Sequence, residues 1–575
     1  MHDLVIRGAT VIDGTGALRK VADVAVDDGV IAAVSDSSDA GANIGTGQRE
    51  IDGTGLLLTP GWVDIHTHYD GQATWDPYLT PSSWHGVTTA VFGNCSVGFA
   101  PVKPGTEPYL INLMEGVEDI PETVLAEGID FRWESFEDYM DVLASTPRIM
   151  DIGAQVPHAA LRYYVMGDRG ADFAERPREE EITRMGELLE EALNAGALGF
   201  TTSRTVKHRA ADGRLVSSYG AEEAELTGLA QAMRRADTGV MEVNSDFGEG
   251  DFARLRTAAE IAGRPLSVLL VQVDKAPNLW RETLDQVGEA VADGMDVTAQ
   301  VGSRAIGVMM GLETTMHPFT AHPVWLELAD LSPRDRFARL CDDEDLRRRL
   351  MAERPDEKTM QYKEIELQRT FELDASMNYE PAPDQSVAAR AKAQGRDPFE
   401  LALELMMGNN GQTLLMHPFE NYCAGDLEVV KEMLEDPNTV CGVADAGAHV
   451  GIICDASAPT SLLIHWGRDR TRGDKLSLEF LVRKQTHDTA RTYGLLDRGV
   501  IAPGYKADIN LIDFDALTLH LPKVVYDLPA GGRRIIQKAD GYRHTFVAGV
   551  EVMRDGEATG ELPGQLLRGT QAIPS

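Results

Sequence analysis

The chain opens with apolar and polar residues in loose alternation: Leu4, Ile6, Ala9 and Val11 lead into an Asp-Gly-Thr-Gly turn. That period of two belongs to a strand with one buried face. Residues 21–26 and 30–34 flank Asp28-Gly29, a pair suited to a tight hairpin because both positions of such a turn need positive φ. Strand-like segments return near the other end, at 507–513 and 544–553. Two β-rich ends around a long middle predict a small β-sandwich built from residues 1–56 and 496–575, since chain termini often lie close together.

From 57 to 495 short apolar segments alternate with helical ones. The strands fall at 61–66, 88–93, 197–202, 239–244, 266–273, 296–301 and 439–444. Helices are expected at 179–195, 221–236 and 478–493, the last with Ser477 placed as N-cap. Repeated β-then-α units over this length predict an α/β domain, a parallel sheet closed as a (β/α)8 TIM barrel, although an open doubly wound sheet has the same periodicity. Residues 321–400 are charged and helical and read as an insertion.

Composition narrows the class. Among 575 residues, 54 Lys and Arg stand against 91 Asp and Glu, a net charge of −37. That balance argues against nucleic acid or an anionic membrane as partner, because both require a basic face. No apolar run approaches the ~18–20 residues that span a bilayer. The N-terminus lacks the basic stretch and cleavage site of a signal peptide. The five cysteines are scattered with no CxxC, which points away from a disulfide framework and toward the cytoplasm.

The strongest chemical signal is GWVDIHTHYDG, an apolar strand ending in His66-Thr67-His68. Residues i and i+2 of a strand face the same way, so both imidazoles point to the strand's C-terminal end, where barrel folds keep their active sites. Two imidazoles so directed form half of a zinc site. Cys95, in VFGNCS, and Asp445, in CGVADAGAH, also end apolar strands. Cys95 reads either as a buried thiol or as a metal ligand; Asp445 reads either as a helix cap or as a ligand that takes a proton from bound water.

Together these pieces resemble the amidohydrolase superfamily, and within it the N-acyl-D-amino-acid deacylase (D-aminoacylase) branch. LVIRGATVIDGTG, GWVDIHTHYDGQ, GNCSVGFAP, GALGFTTS, YGAEEAEL, DVTAQ, GLLDRGVIAPGYKADINLIDFD and TFVAGVEV follow in order over nearly the whole chain. The resemblance implies a metal-bearing barrel with one or two zinc ions, and assigns His66, His68, Cys95 and Asp445 as metal ligands, Asp445 also as general acid/base, and Lys275 near the substrate. It also favours a homo-oligomer. His449 could orient a carbonyl or water, and Arg304 or Arg468 could clamp a carboxylate bidentately, with a structural salt bridge as the competing role for either arginine.

Three positions depart from the family pattern. Asn244 and Val273 stand where histidine ligands are expected, and Gln300-Val-Gly-Ser-Arg304 replaces a tyrosine-bearing segment. Asn is a poor zinc ligand and Val none. Lys207, His208, Glu242 and Asp246 are the candidate substitutes, each near a strand end. The expected reaction is hydrolysis of an amide C–N bond in a small molecule, an N-acyl amino acid above others. Zinc would lower the pKa of its bound water from ~15.7 toward ~7, and Asp445 would carry the proton to the leaving amine. Cyclic-amide hydrolysis, deamination, a lyase reaction or a non-catalytic scaffold are the alternatives, because fold alone does not fix chemistry.

Overall fold

The computed structural model describes residues 1–36, 44–353 and 366–574. Part of the expected insertion, 354–365, therefore lies outside the described residues.

Eight strands form the central run: β1 (Trp62–Asp64), β2 (Val87–Phe92), β3 (Asp151–Ala154, continued by Val156–Pro157), β4 (Gly199–Arg204), β5 (Val240–Ser245), β6 (Leu266–Leu270), β7 (Val297–Val301) and β8 (Thr439–Cys441). Each pairs with the next in parallel through β3, and Val156–Pro157 carries the pairing on to β4 and so to β8. A parallel bridge between Thr67 and Ala446 then links the segments just beyond β1 and β8. The third strand, at 151–157, is one the hydrophobic pattern did not single out. Helices cover the connections, among them Glu179–Asn194 and Glu223–Ala236, close to the expected bounds. Met185, Leu188, Leu189, Ala192 and Leu193 form the buried stripe of the former, the spacing of an amphipathic helix.

The helix expected over 478–493 is two. Leu478–Gln485, capped by Ser477 Oγ accepting from Phe480 N–H, stops at Thr486, and His487–Thr492 follows. Just before the break Gln485 donates to the Val63 carbonyl and Lys484 to the Thr439 carbonyl, so the helix end is tied to β1 and β8.

Both chain ends enter one nine-stranded sheet. Leu57–Pro60 runs antiparallel to Ile509–Ile512, and Leu4, Ile6, Val24, Val26, Leu58, Ile509, Leu511 and Phe546 pack as its core. The Asp28-Gly29 hairpin forms with φ of 49° and 80°. The 544–553 segment is itself a hairpin, Tyr542–Val547 against Val550–Arg554. The helices around 323–406 pack on a separate cluster that runs from Val308 to Leu415, so this unit takes residues from both sides of the 321–400 segment.

A buried ionic knot fastens the C-terminal segment to β3. Asp151, the first residue of β3, receives Arg498 Nη1 at 2.7 Å and Lys506 Nζ at 2.5 Å, and Lys506 also reaches Asp508. Burial pushes the Asp151 carboxyl up, but Lys506 and Arg498 outweigh it and hold the group down at about 2. Asp151→Asn removes the carboxylate that two cations share, leaving Arg498 to Asp497 and Lys506 to Asp508, and breaking a buried pair costs up to about 3–5 kcal/mol, readable as a lower denaturation midpoint. Because the folded pKa is depressed from ~3.9, the wild-type contribution is present above pH ~4 and declines as pH falls toward 2. A midpoint equal to wild type at neutral pH would contradict this role.

Candidate active site

His66 and His68 leave β1 on the same side, their rings 5.4 Å apart. Cys95 leaves β2 and Asp445 leaves β8. His66 Nε2 lies 3.4 Å from Cys95 Sγ and 3.3 Å from Asp445 Oδ1. His68 Nε2 lies 3.6 Å from the same oxygen. Ligand atoms of His66, His68 and Cys95 all fall within 4.8 Å of one another. Zinc–ligand bonds of 2.0–2.3 Å at tetrahedral angles separate donor atoms by about 3.3–3.7 Å. These residues can therefore converge on one ion, and two imidazoles, a thiolate and a carboxylate are a donor set that suits zinc.

Charge points the same way. Asp64, Asp70, Glu118, Glu242 and Cys95 are buried around the imidazoles. The charges that act most on the five carboxyls, Asp445 included, are each other's and those of His66, His68 and His449. Burial pushes Asp64 and Asp70 up to about 7 and Glu242 to about 8. It also raises the Cys95 thiol and lowers His66 to about 4. Burial would lower His68 as well, but Glu118 and Asp445 hold its proton and raise it to about 9. Asp445 is pushed up by burial, yet the close approach of His68 and the charges of the imidazoles keep it well below the usual carboxylate range. His68 Nδ1 and Nε2 are buried 3.4 Å from Glu118 and 3.6 Å from Asp445, and neither makes a well-formed hydrogen bond among the described residues. A bound cation would answer both the crowding of acids and these unsatisfied nitrogens.

The loops that bring these groups together are strained. Cys95, Ser96, Val443, Asp445 and His449 all have φ between 46° and 71°, a region that costs a non-glycine residue about 1–3 kcal/mol and clusters at functional sites. Gly447 allows the Asp445 loop to close: a Cβ there would stand 2.9 Å from the His68 carbonyl oxygen.

Glu118 was not legible as a site residue. It ends the helix Glu107–Glu118, and its carboxylate lies 3.4 Å from His68 Nδ1 and 3.5 Å from His449 Nε2. His449 N–H also donates to the Glu118 carbonyl. Gln300 Oε1 sits 3.1 Å from His66 Nδ1 and its amide donates to Ser267 Oγ. Each imidazole thus has an oxygen behind it and Nε2 facing inward, the arrangement that orients metal-bound histidines.

The other expected residues scatter. His449 is partly exposed at the rim. Lys275 lies exposed in the turn after β6. Arg304 is buried, 2.7 Å from Asp455 Oδ1, with its guanidinium 3.8 Å from the Tyr379 ring centre. Arg468 is not a clamp at this site: it donates to the carbonyls of Phe514 and Leu517 and pairs with Asp469. Lys207 pairs with Glu420, and Asp246 accepts from Thr205 Oγ1 and Val206 N–H. Val273 sits in the loop after β6, bridged to Ala276 and Glu420. His208 and Asn244 lie together beside Cys95.

The amidohydrolase family profile matches residues 49–553. The chain belongs to the amidohydrolase family. An N-acyl-D-aspartate deacylase of Alcaligenes xylosoxydans xylosoxydans is 29% identical over 587 residues, covering 100% of this chain and 96% of the relative. A crystal structure of D-aminoacylase, said to define a novel subset of amidohydrolases, superposes with a TM-score of 0.64 at 23% identity, over 99% of this chain and 100% of its own. An N-acyl-D-glutamate deacylase from Bordetella bronchiseptica, complexed with zinc and a phosphonate inhibitor, gives 0.63 at 24% identity, over 99% of each chain. This amidohydrolase therefore shares the fold of the D-aminoacylase structures across its length, as the sequence resemblance implied.

If Glu118 orients His68, Glu118→Gln, which keeps the volume and removes the charge, lowers zinc affinity by about 10–100-fold with an unchanged circular dichroism spectrum. Chelator competition on the purified protein measures it. Wild-type affinity in the variant would remove Glu118 from the site's support.

Proposed function

We propose that the protein is a zinc-dependent deacylase of N-acyl amino acids. In this reading it is a (β/α)8 barrel over about 57–495, with a β-sandwich formed from 1–56 and 496–575 and a helical insertion near 321–400. The observation that carries it is the convergence of Asp445 on both imidazoles, at 3.3 and 3.6 Å, beside Cys95. His66 and His68 through Nε2, Cys95 through Sγ, and Asp445 would hold the ion. When bound, zinc supplies a water of lowered pKa and polarises the carbonyl oxygen.

Asp445 has the position and charge of the proton carrier. It stays ionised because the His66 and His68 imidazoles lie against it, and its side chain is 14% exposed, so it is open to the substrate side. It takes a proton from the attacking water and delivers it to the amine nitrogen as the C–N bond breaks, giving a carboxylic acid and a free amine. His449, anchored through Glu118, stands at the rim to meet the carbonyl or the water. Lys275 is the candidate for the substrate carboxylate. Arg304 is a weaker candidate, since Asp455 and Tyr379 already engage it. The D configuration and an acidic side chain are favoured by the aspartate and glutamate deacylases among the relatives.

A panel of N-acetyl-D- and L-amino acids, assayed for free amine, tests the assignment. Release of amine from D substrates is expected, with Asp445→Asn lowering kcat by about 10²–10⁴-fold. Hydrolysis confined to cyclic amides, or release of ammonia alone, would overturn it.

A further inference from the structure

The Cys95 sulfur has two sides. On one are His66, His68 and Asp445. For the sulfur to bridge two metal ions, donors would be needed on the other side as well. We propose that the centre holds a single metal ion, and that Asn244, backed by His208, fills the side of the Cys95 sulfur where a second ion would bind. This rests on the reading that the site is a metal centre.

The groups on that side are already spent on one another. Asn244 Nδ2 lies 3.7 Å from Cys95 Sγ and 3.3 Å from His208 Nε2. An amide nitrogen has no lone pair to give a metal, but its two N–H bonds match these two acceptors. With Nε2 accepting, the His208 proton is assigned to Nδ1, which lies 2.8 Å from Ser203 Oγ. Ser203 and Asn244 are register partners on β4 and β5, so sheet pairing fixes both ends of this relay. Lys207 and Asp246 are also engaged, Lys207 with Glu420 and Asp246 with the 205–206 turn.

Glu242 is the competing candidate. It is buried, with neither carboxylate oxygen in a well-formed hydrogen bond. It shares a face of β5 with Asn244 and stands two residues earlier, one layer deeper along the strand. Asn244 thus lies nearer the strand's C-terminal end than Glu242 does, and Glu242 is a donor beside Cys95 that the Asn244–His208 pair does not engage. A thiolate bound to one metal and accepting an N–H donates less charge than a free one, which leaves the ion the stronger Lewis acid.

Titration of metal-free protein with Co²⁺ tests this, followed by the thiolate-to-cobalt charge-transfer absorption and by elemental analysis. Wild type is expected to saturate at one ion per chain. Asn244→Leu should keep that stoichiometry and shift the band, and Cys95→Ser should abolish the band. Two ions in wild type would overturn the proposal, and a return to one in Glu242→Gln would place the second ion on Glu242. The readout is independent of turnover. One ion in a protein inactive on N-acyl amino acids would sink the proposed function alone, whereas two ions in an active deacylase would sink this inference alone.

Discussion

Four buried carboxyl groups and a buried thiol crowd with the partly exposed Asp445 at the C-terminal ends of the parallel strands, with imidazoles as their chief positive company, and this crowding is the constraint on which the rest of the site depends. Each buried carboxylate without a counter-charge is expensive, and the protein meets that by shifting protons. Asp64, Asp70 and Glu242 move toward neutrality, while His68 keeps its proton between Glu118 and Asp445. A divalent cation at the meeting point of His66, His68, Cys95 and Asp445 would replace that arrangement of protons. Folding the acids inward is therefore intelligible as preparation for an ion, with affinity coupled to proton release.

Holding such a cluster requires a rigid frame and local strain. The frame is the run of parallel strands, tied to the C-terminal segment by the Asp151–Arg498–Lys506 knot and to the final helices by Lys484 and Gln485. The strain sits where the chain turns out of β2 and β8, at Cys95, Ser96, Val443, Asp445 and His449. Backbone held in this region persists only where its surroundings over-determine it. Here the surroundings include the Glu118 contacts to His449 and the close passage of Gly447 past His68.

Much of the geometry was legible because it follows from a period of two at strand ends. His66 and His68 had to face one way, and the hairpin at Asp28-Gly29 forms where its turn chemistry requires. What escaped the sequence was set by tertiary contacts. Glu118 is the last residue of a helix in an acid-rich stretch, and nothing local distinguishes it from the solvated glutamates around it. The 151–157 strand is short and interrupted by Gln155, so it lacks an apolar run. The break at Thr486 follows contacts to β1, 422 residues away in sequence, and to β8, 45 residues away. Arg468 could not be told from a substrate clamp until the backbone carbonyls of Phe514 and Leu517 were seen beneath it. Asn244 was legible as a departure, but its pairing with His208 depends on a loop that folds back over β4.

The central claim is that the groups at the ends of β1, β2 and β8 form one metal centre that includes the cysteine. Zinc K-edge X-ray absorption on the zinc-loaded protein tests it most directly. The account predicts one sulfur at about 2.3 Å and nitrogen or oxygen donors at about 2.0–2.2 Å, with no metal neighbour at about 3.5–4 Å. A shell of nitrogen and oxygen alone, without sulfur, would contradict it.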